Sequence, residues 1–197
     1  ALQSELGVEH KKVFLESAVK DKGQKIVDEL LKKKIAKQGD GGAIIIDLEK
    51  EKLGVALLRK STGAGVYLTS DLALANEKFK NSDIEESINL TGLEQDYYFK
   101  QLFRVLELSG FKHKMTHIGH GLVSLAGGKM SSRTGQVVLY EDMRDQIFEK
   151  LKQETAKRHE DWSKTKIEKT ASTLTQAALK LTMQKHEVSK NIVFDLE

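Results

Sequence analysis

Apolar runs of two different periods alternate along the first 140 residues, and this alternation restricts the chain to the α/β class. The first 38 residues read as helical, with Ile26, Val27, Leu30 and Leu31 on one face and lysines on the other. "GDGG" at 39–42 stops that segment. The short runs "AIIIDL" (43–48) and "GVALLR" (54–59) flank "EKEK" and predict a hairpin. "VYLT" (66–69) reads as a third strand, and Ser70 or Asp71 then caps a helix through about Lys80. "SINLTG" (87–92) reads as a buried strand. The helix after it places Phe99, Leu102, Phe103 and Leu106 on one face and ends at Gly110. "KMTHIG" and "GLVSL" read as short strands around Gly119–Gly121, and "QVVLY" (136–140) as another. Residues 43–140 are therefore expected to form a mostly parallel sheet flanked by helices.

Beyond Glu141 only helical periods remain, with Met143, Ile147 and Leu151 in one stripe and Leu174, Ala177, Ala178 and Leu181 in another. The expected organisation is a partial α/β domain over 1–140, with 1–42 as a helical lead-in, and a helical extension over 141–197. At 197 residues and 39% hydrophobic content the chain can bury a proper core. A net charge of +3 gives no strong attraction for polyanions. Cysteine is absent, which removes disulfides and thiolate zinc sites. No apolar run approaches a membrane span and no signal peptide is present. The chain opens on Ala1 and stops at "NIVFDLE" inside an apolar patch, as an excised piece of a longer protein would.

Three groups of residues carry possible chemistry. In "AGGKMSSRTG" (126–135), glycines and hydroxyls surround Lys129 and Arg133, a composition suited to close approach of a phosphate. It is not a Walker A loop, which would need Gly at Val123 and Ser or Thr at Met130. "GHGLVS" fails as a dinucleotide fingerprint at Ser124. A basic surface loop of no further role has the same composition. His113, His117 and His120 have the spacing of a metal cluster, but strand geometry alternates their faces and no Asp or Glu is adjacent. Tyr67, Asp71 and Gln95 fall where strands end and helices begin, the edge at which open α/β sheets bind ligands. A carboxylate there suits a cation, bidentate if it is a guanidinium. Taken singly, Asp71 also reads as an N-cap and Tyr67 as a half-buried strand aromatic.

Together, "LGVEHKKVFLES", "GGAIIIDL", "GVYLTSDLALA", "NLTGLEQDYYFKQLF", "HIGHGLV" and "GGKMSSRTGQVVLYEDM" resemble the successive blocks of the arginyl-tRNA synthetase family, and "KNIVFDLE" its last stretch before the anticodon-binding domain. The most specific part is "YLTSDLALA" followed, 24 residues after Asp71, by Gln95. The resemblance implies the second half of a Rossmann-like class I synthetase catalytic domain with a helical C-terminal extension. It implies ATP-dependent activation of L-arginine and transfer to tRNA(Arg), with Mg2+ accompanying ATP and no protein-bound metal site. By position, Tyr67, Asp71 and Gln95 resemble the arginine pocket, and Lys129, Ser131, Ser132 and Arg133 the catalytic KMSKS loop. Gly121, Leu122, Val123, Lys129 and Met130 resemble the ATP contacts. A monomeric, cytoplasmic enzyme without membrane attachment is implied too.

Literal "HIGH" at 117–120 lies nine residues before Lys129, whereas the class carries its two signatures on opposite halves of the fold. "HIGHGLV" matches the family block that precedes KMSKS, so the spelling is a coincidence. A working HIGH also needs a strand-to-helix turn aimed at phosphate. The second lysine of KMSKS is Ser132 here, and Thr62 stands where the family often has Asp. Two other readings are another HIGH-type nucleotidyltransferase and a non-catalytic RNA- or partner-binding module using Lys32–Lys34 and 164–169.

Overall fold

A computed structural model describes residues 5–80, 83–125 and 139–194. The chain divides into two compact units, residues 9–119 and the described residues of 120–194 with 5–8. The first begins with α1 (Glu16–Lys32), which buries Val19, Gly23, Val27 and Leu30 at helical spacing. An acidic first turn and a basic last turn complement its dipole. This helix is shorter than the 38-residue lead-in expected. The stretch before it has no apolar face of period 3.6, and Gly7 there sits at a φ of 78°.

β1 (Lys37–Gln38), β2 (Ile44–Asp47) and β3 (Val55–Arg59) form an antiparallel sheet in the order β1-β2-β3. The β2–β3 hairpin is the one the sequence predicts, closed through a turn at Glu49–Glu51. Ile44 and Ile46, then Ala56 and Leu58, are buried in alternation. A mostly parallel sheet over 43–140 is therefore not what forms. Strands joined by so short a connection can only pair antiparallel, because a parallel pair needs a crossover.

α2 (Tyr67–Lys80) starts where a third strand was expected at 66–69. Leu68, Leu72 and Ala75 repeat at helical spacing and are all buried, which outweighs the strand preference of a four-residue run. Asp71 is accordingly not an N-cap; it lies inside the helix. β4 (Glu86–Gly92) and β5 (Lys114–His120) pair with each other across α3 (Asp96–Ser109). Their side-chain bonds rise in step, Glu86 with Lys114, Asn89 with Thr116 and Thr91 with His117, as in a parallel pair with a helical crossover. β4 is not the fully buried strand expected: Ser87 and Gly92 are buried, but Ile88 and Leu90 are exposed. α3 buries Phe99, Leu102, Val105 and Leu106, and stops at Gly110 with a φ of 94°, as its sequence predicts. One core joins these elements: Val27 and Leu30 of α1, Ile46 and Leu58 of the sheet, Leu72 of α2, and Val105 of α3.

In the second unit, α4 (Tyr140–Arg158) and α5 (Lys164–Gln184) pack side by side, with Ser163 capping α5. Lys152 pairs with Glu168 and Met143 with Leu179, an antiparallel hairpin. The buried face of α5 is Ala171, Thr175 and Leu179, not the Leu174–Leu181 stripe expected. The two stripes have the same period, and only the packing against α4 selects one. This extension is not wholly helical. β7 (Ile192–Phe194) pairs in parallel with β6 (Val123–Leu125). None of the described helices is long and apolar enough to cross a membrane.

α1 and α2 approach so closely that a Cβ on Gly23 would overlap the carbonyl oxygen of Thr69. Gly23→Ala should therefore lower the free energy of unfolding by about 1–3 kcal/mol in a urea titration. It should do so although alanine favours an isolated helix by about 1 kcal/mol.

Candidate functional site

The start of α2 is bolted to the sheet. The Thr69 hydroxyl donates to the carbonyl of Leu58 on β3, and accepts the Val66 N–H at 3.1 Å. Arg59, at the end of β3, is held by the side chain of Gln24 and, at 2.8 Å, by Asp28 of α1. Tyr67 opens the helix and is 77% exposed. Asp71 lies four residues on, so both side chains leave the same helix face. A cavity of about 320 Å³ opens beside Tyr67, lined by Glu16, Lys20, Lys60, Tyr67, Thr69 and Ser70; Asp71 and Gln95 are not among its lining residues. That volume lies at the small end of ligand sites.

Asp71 is half-buried, and its Oδ2 accepts the hydroxyl of Tyr98 from the first turn of α3. Burial pushes the Asp71 carboxyl above the usual carboxylate range; the Tyr98 bond and the Lys78 charge oppose that, and Glu16 adds to it. Tyr98 is pushed well above the ordinary phenol range by burial and by the facing carboxylate, so it remains a donor. Lys78, drawn down by burial, donates to Ser87 and Asn89 of β4, each at 3.1 Å. Gln95 sits exposed in the turn Leu93–Gln95 that joins β4 to α3, three residues before Tyr98. Asp71 is thus tied to α3 through Tyr98, and Gln95 stands at the head of that helix.

The first turn of α3 is itself clasped. The His117 side chain is 5% exposed; its Nε2 lies 2.9 Å from the Thr91 hydroxyl and its Nδ1 3.2 Å from Asp96, while its ring stacks on Phe99 at 4.3 Å. Hydroxyl, imidazole and carboxylate stand in the order of a nucleophile triad. The burial and stacking of the ring make it a strut between β4, β5 and α3. His120 is exposed at the end of β5, with its Nδ1 2.9 Å from the Gly121 carbonyl. Literal HIGH therefore lies within a strand. Among the described residues no group of three His, Asp or Glu could hold a metal ion.

Lys129, Met130, Ser131, Ser132 and Arg133 lie outside the described residues, as do 136–138 of the strand expected at 136–140; Tyr140 opens α4. Gly121, Leu122 and Val123 stand at the head of β6. Gly121 N–H donates to Val188 at 2.8 Å, Leu122 N–H to the Asn191 side chain at 2.8 Å, and the Leu122 carbonyl accepts Ile192 N–H at 2.8 Å. Successive residues of a strand point their peptide groups to opposite edges, so those of Val123 face away from β7.

Two residues of the site escaped the sequence. Glu16 reads as the acidic first turn of a helix, and only the fold brings its charge to Asp71. Tyr98 was hidden in the apolar pattern of α3, although its spacing of one turn from Gln95 was a usable signal.

A model of the family described as tRNA synthetases class I (R), catalytic domain, matches residues 3–196. A protein of Exiguobacterium sibiricum named arginine–tRNA ligase is 35% identical over 98% of this chain and 34% of its own length. One of the same name from Bdellovibrio bacteriovorus is 39% identical over 79% of the chain and 27% of its own length. The chain thus spans about a third of the length of these relatives. The arginyl-tRNA synthetase structure of Plasmodium falciparum superposes with a TM-score of 0.80 at 20% identity, over 99% of this chain and 33% of that one. A putative arginyl-tRNA synthetase from Campylobacter jejuni gives 0.70 at 17%, over 98% and 37%. These neighbours share the mixed α/β fold of a class I synthetase catalytic domain. With the family model matched from end to end, the chain belongs to the class I (R) tRNA synthetase family and is a stretch of its catalytic domain.

Proposed function

We propose that the chain is part of an arginine–tRNA ligase, which activates L-arginine with ATP to arginyl-adenylate and passes it to tRNA(Arg). The observation that carries this reading is Asp71, a half-buried carboxylate that accepts the Tyr98 hydroxyl, with Tyr67 one helical turn before it and the Glu16 charge nearby. A half-buried carboxylate whose ionised form burial disfavours suits a guanidinium, which brings a delocalised charge and planar donors. Tyr67 would flank the substrate side chain, and Gln95 would hold its polar backbone end. ATP would lie along the outer edge of β6, at the peptide groups of Val123, close to Gly121 and Leu122. Lys129, with Met130 to Arg133, would stabilise charge on the departing pyrophosphate, an electrostatic role without a covalent step. Mg2+ would enter on the ATP phosphates. The enzyme would work as a cytoplasmic monomer. The reading of 117–120 as a working HIGH loses support from its place inside β5.

Asp71→Asn should weaken L-arginine binding by on the order of 2–4 kcal/mol, read by calorimetry or NMR titration. An unchanged dissociation constant would reject the pocket. The same variant should be at least as stable as wild type at pH 7. The native pKa of Asp71 is raised, so its contribution to stability is present while it is protonated and is lost as pH rises through the native value. Asparagine keeps the neutral form, so the two melting curves should converge below the usual carboxylate range. A lower melting midpoint for Asp71→Asn at pH 7 would contradict this.

Purified alone, the chain should give no arginine-dependent ATP–pyrophosphate exchange above background, since its HIGH string lies within β5 and not at a helix N-terminus that could cradle phosphates. In a full-length ligase carrying this sequence, Lys129→Ala should lower the exchange rate about a hundredfold or more. His120→Phe should stay within about tenfold of wild type. A His120→Phe enzyme that folds normally and fails as badly as Lys129→Ala would reinstate HIGH as catalytic.

A further inference from the structure

The first turn of α3 does more than carry Gln95. Its residues Asp96 and Tyr98 point to two different partners: Asp96 to His117 on β5, and Tyr98 to Asp71 on α2. His117 also bonds Thr91 on β4, so the turn is fixed to both strands before it reaches α2. The Tyr98 ring packs edge-on against Phe99 at 5.3 Å and belongs to the rim of the core. Its hydroxyl therefore has little freedom of its own. A carboxylate offers about four lone-pair positions. Tyr98 occupies one of them, on Oδ2, and that bond sets the plane of the Asp71 carboxylate. The remaining positions then face a direction chosen by α3, not by the rotamer of a side chain on α2. Recognition of a planar guanidinium depends on that plane, because paired N–H···O bonds form only when donor and acceptor planes coincide. Tyr97, the next residue back, is exposed and points elsewhere, towards Gly54.

We propose that Tyr98 is the positioning residue for arginine selectivity: its hydroxyl, anchored through the His117 clasp, sets the plane in which Asp71 receives the guanidinium. This rests on the reading of Asp71 as the guanidinium partner. The test is an NMR titration of the chain with L-arginine and with L-citrulline, which has the same shape but a neutral ureido end. Wild type, Tyr98→Phe, Tyr97→Phe and Asp71→Asn are compared, and the Asp71 carboxyl carbon is followed against pH. Tyr98→Phe should weaken arginine about tenfold and leave citrulline nearly unchanged, so the arginine-to-citrulline ratio falls by the same factor. The Asp71 titration should move upward once its donor is lost. Tyr97→Phe should change neither. If Asp71→Asn abolishes selectivity while Tyr98→Phe keeps it within about twofold, the role of Tyr98 is overturned and the pocket survives. If Asp71→Asn leaves the ratio unchanged, or the wild-type chain shows no saturable shift with arginine, the reading of the pocket falls and takes this inference with it. Equal losses for arginine and citrulline in Tyr98→Phe would mark a general packing role and also overturn it. Should that variant fold poorly, the wild-type chain decides: an Asp71 carboxyl carbon whose resonance shows no isotope shift when the Tyr98 hydroxyl proton is exchanged for deuterium refutes the bond.

Discussion

The contact between α1 and α2 at Gly23 and Thr69 is the constraint on which the candidate site depends. No side chain separates the two helices there, and the Thr69 hydroxyl reaches past the contact to the Leu58 carbonyl on β3. Helix, helix and sheet are thereby locked at one point, within a single turn of Asp71. Tyr67 and Asp71 inherit their positions from that lock, because both ride on the turn it fixes. A close-packed core such as the one formed by Val27, Leu72 and Leu58 transmits small displacements, since it has no slack to absorb them. A methyl group at Gly23 would thus be felt at a carboxylate on the next helix.

Asp71 shows the usual opposition between stability and function. Burial raises its proton affinity, and a nearby acid, Glu16, adds to the cost of ionising it. Tyr98 and Lys78 recover only part of that cost. A domain selected for stability alone would place an amide or an apolar residue there. The ionised group is useful because it is held short of full compensation, so that a cationic ligand gains more by meeting it than water does. His117 illustrates the contrary case. Its polar atoms are met by Thr91 and Asp96, and its ring by Phe99, so it adds rigidity and leaves nothing unsatisfied for a ligand.

Much of this was legible in the residues. The β2–β3 hairpin followed from two β-branched runs around a charged turn, and α3 from a clear apolar stripe closed by Gly110. Tyr67, Asp71 and Gln95 were picked out by their expected places at strand ends and helix starts, and the family pattern added their roles. Where the reading failed, two patterns of equal local strength competed. "VYLT" suits a strand, yet Leu68 also begins a helical repeat with Leu72 and Ala75. Along α5, Leu174 and Leu181 form as good a stripe as Ala171, Thr175 and Leu179, and the choice fell to the partner helix. The pairing of β7 with β6 joins residues about 70 apart in sequence, a distance at which periodicity carries no information.

By itself the sequence determined the alternation of strands and helices, the hairpin, the stops at glycine and the family to which the chain belongs. These depend on local spacing and on motif order, which a linear string preserves. Only the tertiary structure decided that Tyr98 holds Asp71, that Glu16 lends its charge to the same place and that His117 is a strut. Those relations join residues 21 to 55 positions apart along the chain. They arise because a packed core places side chains by volume and hydrogen-bond geometry, quantities that exist only once the helices and strands have met.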